Sequence, residues 1–402
     1  RERVMCICVS LRIGSGDDQM SVIGIPWQIP RRLASADPLL LAPVAVLLAF
    51  SVVMVFSAAI GTHGGIGGGV AVLVKHLFGI VLALSLGVAA ASVPLDLWQR
   101  TSRWLLGLGA ALLALILIPG IGHEVNGSTR WLALGLFNFQ PSELIKVLTV
   151  LFLADHFVRH ASAMDSFQNC ILIPATVIGS IGVLLLLEPD LGCTAVIMMV
   201  TLGMMFLAGT PLRYIFGAIA VAVCAVAVLI MTAEYRLDRV SSFMDPWADP
   251  YGSGFQLVQA LIALGSGEWF GVGLGASVQK LFYLPHASND FLIAVVGEEL
   301  GLVGVAALLC LYGLVLWRVF NLASRAAAAK AYFGARLAQG IGLLLIVQVM
   351  FHFAVNLGLV PTKGLNLPLM SYGGSSMLIN GLAFGLLISI EHSLSKGRVG
   401  AR

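Results

Sequence analysis

Three carboxylates stand where an apolar chain has little reason to keep them. The stretch NDFLIAVVGEELGLVG, residues 289–304, has Asp290 as its second residue and holds Glu298 and Glu299 inside an otherwise apolar run. At 1.5 Å of rise per residue the two glutamates lie ~12 Å along a helix from Asp290. Ionisable groups at such depth need a partner or water. Glu298 or Glu299 therefore reads as a structural lock between helices, closed by a basic or hydroxyl group. Asp290, at the threshold, suits either a helix cap or a general base.

Three further constellations are polar in the wrong place for a merely greasy chain. In QPSELIKVL, Pro141 suits the first turn of a helix and Ser142 and Glu143 its N-terminus. Glu143 and Lys146 are three apart and share a face, with Lys146 ~8 Å into the run. They form either a snorkelling structural pair or a cation offered to a site. In GLVPTKGLNLPLMSYGGSS, Pro361 and Pro368 forbid a continuous helix around Lys363. Pro368 is read as structural. Ser371, Tyr372 and the Gly-Gly-Ser-Ser that follows open a new helix, whose N-terminal amides would favour an anion. In STRWL, Arg130 and Trp131 are an interfacial anchor or, for the arginine, a third site cation. The turn LEPDLG, 187–192, reads as a hairpin with a helix cap. Lys146, Lys363 and Arg130 beside free helix N-termini suit a phosphate or pyrophosphate. With one carboxylate above them, they describe a site for an anionic, lipid-linked substrate.

The elements that must position these groups follow from composition. The chain is 59% hydrophobic and 11% charged, with a mean hydropathy of +0.96. Apolar runs of ~20 residues recur along it, long enough to span a bilayer as helices. The runs are continuous rather than alternating, which excludes a barrel and predicts an all-α integral membrane protein. Ten spans are expected, with cores near 38–60, 71–92, 103–121, 141–158, 169–187, 191–209, 212–232, 291–318, 333–357 and 373–391. With the N-terminus cytoplasmic, sixteen Lys and Arg fall on the inner side, five on the outer and two within spans. That asymmetry fits an even number of spans and two cytoplasmic termini. Residues 1–36 read as a cytoplasmic tail, partly disordered; 37–392 as the transmembrane domain; 393–402 as a second cytoplasmic tail. The one long loop, 232–290, faces outward and is rich in aromatics. Residues 254–264 in it read as a short amphipathic helix, and GVGLGASVQKLFYLP as a tight turn followed by another helix or half-helix. A net charge of +3 gives no reason to expect nucleic acid, and six cysteines without CxxC spacing give none to expect a metal cluster.

Several long motifs then coincide. DPWADPYGSGFQLVQALIALGSGEWFGVGLGASVQKLFYLP, NDFLIAVVGEELGLVG and PTKGLNLPLMSYGGSS, with STRWL, QPSELIKV and EPDLG in order, resemble the SEDS family (shape, elongation, division and sporulation) over 37–392. The resemblance lies nearer the division branch than the elongation branch. It implies ten helices with a large outer loop between the seventh and eighth. It also implies a peptidoglycan glycosyltransferase that polymerises lipid II at the outer face of the inner membrane, at the septum. The expected partners are a class B penicillin-binding transpeptidase of the FtsI type and other divisome proteins. The family's essential aspartate falls on Asp290; its binding residues fall on Glu143, Lys146, Lys363 and Arg130, with Ser371 and Tyr372 beside them. Magnesium or manganese would be compatible with that chemistry, though no compact ligand cluster demands either. Two departures flank Asp290: His286 and Ser288 stand where the family usually has Glu and His. Cys193 replaces a small hydroxyl residue after EPDLG. A lipid II flippase and a non-catalytic divisome scaffold are the rival expectations.

Overall fold

The computed structural model describes residues 37–400 apart from 63–64, 126–127, 134–137, 233, 282 and 286. The expected N-terminal tail, with Cys6 and Cys8, and the substituted His286 lie outside the described residues.

Among the described residues, eight helices are long and apolar enough to cross a membrane. They are α1 (Pro38–Thr62), α2 (Ile66–Ser92), α5 (Ile173–Leu187, entered through a π turn at Gln168–Leu172), α6 (Leu191–Ala208), α7 (Leu212–Met231), α10 (Leu292–Ala328), α11 (Tyr332–Asn356) and α12 (Gly374–Gly400). Two more long helices, α3 (Leu95–Ile116) and α4 (Pro141–Arg159), pack on each other where spans three and four were expected. Their charges lower their apolarity: Asp96, Arg100 and Arg103 in α3; Glu143, Lys146, Asp155 and Arg159 in α4. For α4 the physical reason is burial. All but three of its residues are buried against α3, α6 and α11, so Glu143, Lys146 and Asp155 meet protein rather than lipid, while Arg159 at its end is exposed. The third element starts eight residues before the expected core at 103, because LDLWQRTSR continues the helix with polar residues.

Between α3 and α4 the chain forms a small antiparallel sheet that the hydropathy pattern did not announce: β1 (Gly122–Val125), β2 (Ser128–Ala133) and β3 (Asn138–Phe139), in that order. Between α7 and α10 lie α8 (Glu234–Met244) and α9 (Phe255–Ser266). α9 matches the expected amphipathic helix. The half-helix expected within 271–285 is not present among the described residues, where the chain runs in turns. Gly271, Gly273 and Gly275 all take positive φ there (79°, 107° and 81°), which a helix cannot use.

What that segment does instead is pair with α10. Helix α10 is broken at Gly301 (φ 65°, ψ −165°). The amides of Val272 and Gly273 donate to the carbonyls of Glu298 (2.9 Å) and Glu299 (3.1 Å), and those of Leu302 and Val303 donate to Glu268 (2.9 Å) and Trp269 (3.1 Å). The backbone groups freed by the break are thereby satisfied, as membrane depth requires. A Cβ at Gly301 would lie 2.5 Å from Gly271 N and Trp269 O, so only glycine fits. At the bundle's opposite end, Arg325 bonds Glu391 (2.9 Å), and Arg318 pairs with Asp37, tying α10 to α12 and to the start of α1.

Candidate active site

Asp290 precedes α10 by two residues, in a turn rather than at the cap position, which Phe291 takes. It lines a cavity of about 780 Å³ at the loop end of the bundle, together with Lys363, Arg130, Trp131 and Tyr372. The walls come from four directions: the small sheet, α8 and α9, the 362–366 segment, and the turn before α12. Gly364 backs directly onto the aspartate; a Cβ there would lie 3.2 Å from Asp290 Oδ2. The irregular 361–368 segment thus brings Lys363 to the same cavity as Asp290, which is what two prolines around a glycine make possible.

Arg130 reaches the cavity from β2. Its Nε donates to the Glu188 carbonyl (2.9 Å) and its Nη2 to the Pro189 carbonyl (2.6 Å). The guanidinium is therefore aimed by the EPDLG turn and keeps further donors. The turn itself is held by Asp190, whose Oδ1 accepts from the Cys193 amide (3.1 Å) to cap α6.

Glu188 is fully buried, and neither carboxyl oxygen has a hydrogen-bond partner among the described residues. Burial, aided by the nearby Asp190 charge and opposed by Arg130, raises its pKa to about 8 from an ordinary 4.5. The unfolded chain loses this proton near the ordinary value and the folded one near 8. Folding therefore takes up a proton between these values, and stability falls as pH rises through that window, by up to about 1.4 kcal/mol per unit. Glu188→Gln is expected to flatten this slope. Thermal melts in detergent between about pH 5 and about pH 8 check it, and equal slopes in both proteins would contradict it.

The remaining expected site residues are placed elsewhere. Glu143 and Lys146 do not line the large cavity. They pair with each other at 2.8 Å, both buried, facing a void of about 10 Å³ bounded by Gln348, Ser376 and Asn380. This arrangement is the structural pair that the spacing allowed; contact of Lys146 or Glu143 with a pyrophosphate would require α4, enclosed by its neighbours, to part from them. Ser371 is also turned away from the cavity: its Oγ donates to Asn289 O (2.6 Å) and accepts from Leu367 N (3.0 Å). Tyr372 faces the cavity, its phenol pKa raised by burial. Glu298 accepts from Ser277 Oγ (2.5 Å) and the Val278 amide (2.8 Å); Glu299 accepts from Lys280 Nζ and Ser57 Oγ, both at 2.6 Å. The two glutamates thus fasten the long loop and α1 to the break in α10. The Pro368 carbonyl accepts from the Tyr312 hydroxyl (2.5 Å).

Sequence reasoning missed the contributions of Asp238 and Ser242 from α8, and of Gln140 and Asn366, to the same cavity. The mixed polar and apolar pattern of 234–244 is the one signal that was available for α8. Among the described residues, no group of three or more His, Cys, Asp and Glu is placed to hold a metal ion.

Fold and site together define a multi-pass helical membrane protein with a polar, cation-lined cavity at one end of the bundle. Residues 38–396 match the family model of the FtsW, RodA and SpoVE cell cycle proteins, and the chain belongs to that family. It is 45% identical over 358 residues to a probable peptidoglycan glycosyltransferase FtsW of Nitrosomonas europaea, covering 88% of this chain and 92% of that one. It is 48% identical over 349 residues to the protein of the same name from Thioalkalivibrio sulfidiphilus, covering 87% of each. Among solved structures it resembles a chain of a peptidoglycan synthase complex that coordinates polymerization and crosslinking, with a TM-score of 0.73 and 28% identity over 88% of this chain and 97% of that one. It also resembles the rod shape determining protein RodA of Thermus thermophilus (TM-score 0.64, 28% identity, 88% and 95% covered).

Proposed function

We propose that this chain is a peptidoglycan glycosyltransferase of the FtsW type, which polymerises lipid II at the outer face of the inner membrane during septal wall synthesis. The observation that carries the reading is the meeting of Asp290, Lys363 and Arg130 in one cavity. The reaction joins a sugar 4-hydroxyl to an anomeric carbon whose leaving group is a lipid pyrophosphate. An α-linked donor giving a β-linked product requires one direct displacement. The new O4–C1 bond forms as the C1–O bond to the diphosphate breaks. The hydroxyl proton passes to Asp290, and the diphosphate leaves with the electron pair. Base and leaving-group charge need separate groups, a carboxylate at one and cations at the other. Lys363 and Arg130 fill the second role.

In this reading α3 and α4 complete ten spans, with the 232–290 segment outside and both termini cytoplasmic, as the distribution of Lys and Arg supports. The partner is a class B penicillin-binding transpeptidase, in keeping with the synthase complex whose fold the chain shares. The test is reconstitution of the full chain with its transpeptidase in liposomes, supplied with labelled lipid II. Glycan chains should appear only when both are present with substrate on the outer leaflet. Translocation of lipid II without chain growth would replace the enzyme with a flippase.

A further inference from the structure

Three consecutive carbonyls, those of Ser288, Asn289 and Asp290, are each held by a group from a different part of the chain. The Tyr372 amide donates to Ser288 O (3.0 Å). Ser371 Oγ donates to Asn289 O (2.6 Å), and His352 Nε2 contacts the same oxygen at 3.2 Å. A carbonyl only accepts, so that nitrogen carries the proton. Asn356 Nδ2 donates to Asp290 O (3.0 Å) and to His352 O (2.8 Å). The Asn356 Oδ1 accepts from the Ala294 amide (3.1 Å), which it shares with the Phe291 carbonyl (3.0 Å) at a helix start where the N-cap residue supplies no side-chain cap. Asn356 is fully buried at the last turn of α11. One side chain therefore caps the helix after Asp290 from another helix and fixes the carbonyl of Asp290 itself.

Anchoring at every carbonyl, with Gly364 packed against the carboxylate, holds the backbone of Asp290 in this orientation. We infer that Asn356 is a positioning residue: it acts through the main chain of residues 289–290 to aim the Asp290 carboxylate into the cavity, with His352 and Ser371 as supports. The inference rests on the reading of Asp290 as the base.

The experiment is lipid II polymerisation by the full chain with its transpeptidase, comparing Asn356→Ala, Ser371→Ala and Asp290→Asn. Misplacing a reacting group by ~1 Å costs on the order of 100-fold. Asn356→Ala should lower kcat by about that factor while KM for lipid II stays within about threefold, and should displace the acidic limb of the pH–rate profile. Ser371→Ala, which removes one of two contacts to Asn289 O, should lower kcat by about tenfold in the same sense and serves if Asn356→Ala does not fold. The inference is overturned if both variants keep the native kcat and pH profile, or if activity falls only in proportion to folded protein with an unmoved profile. Should Asp290→Asn itself polymerise normally, the role of Asp290 fails first, and that outcome is distinct from the others.

Discussion

Asp290→Asn is expected to reduce glycan chain growth by about three orders of magnitude, within the range that a positioned base contributes, while the protein inserts and melts as before. The substitution is nearly isosteric. The three carbonyl anchors and the Gly364 contact act on the main chain or on the shape of the side chain, and an amide satisfies both. What it cannot do is accept the acceptor hydroxyl's proton. Asp290→Glu separates chemistry from geometry. It keeps the carboxylate but adds a methylene that moves it from the position Asp290 holds against Gly364, so it should also fall by ~100-fold. Labelled lipid II resolved by glycan length on a gel reads both. Undiminished polymer from Asp290→Asn, with the transpeptidase present, would remove the base from the mechanism.

The same residues show what a sequence of this kind discloses. The long helices were legible because lipid imposes length and apolarity on membrane-crossing ones, and all ten expected cores overlap a helix of at least fifteen residues. Two of those helices were not apolar enough to stand out by composition. In α4 the charges that weaken the signal are the ones the bundle encloses, so hydropathy understates a helix that is almost wholly buried. Asp290 and Lys363 could be picked out because each interrupts a region where charge is costly. That they share a site could be read from their common outward side and from the resemblance; how they meet could not, since it depends on how the 361–368 segment folds back, and prolines announce a break without giving its direction. Lys280 is the opposite case. It looked like an ordinary loop lysine in sequence, yet it is buried and holds Glu299 at 2.6 Å. Nothing in the composition of 271–285 foretells that its glycines pair with a break in α10, because the pairing partner lies some thirty residues away in sequence and the break at Gly301 is visible only as one glycine among 45. Likewise Asn356 sits in an apolar helix as one amide, and its role appears only when the ends of α10 and α11 are seen side by side.

The second large effect concerns Glu143 and Lys146, for which spacing left two roles open, a structural pair or a cation offered to a site. Spacing allowed a lysine offered to a phosphate; the structure closes the pair on itself at 2.8 Å, with both side chains buried and away from the large cavity. Removing one member leaves the other as an uncompensated charge in the bundle, a loss of roughly 3–5 kcal/mol. Lys146→Ala and Glu143→Ala should therefore each yield little folded protein in detergent and no detectable chain growth. Those single losses cannot tell a lock from a ligand, because both roles predict them. The double variant Glu143→Leu with Lys146→Met can. Replacing a buried ion pair by apolar groups of similar volume is often neutral or stabilising, so the fold should return nearly to native stability, with a coupling between the two sites of at least about 2 kcal/mol. If the pair only holds α4 in place, chain growth should return with the fold, to within about tenfold of the native rate. A double variant that melts like the native protein but forms no glycan would mean that the lysine leaves Glu143 during turnover and meets the diphosphate. The bundle must then open between α4, α11 and α12, around the small void that Gln348, Ser376 and Asn380 share with the pair.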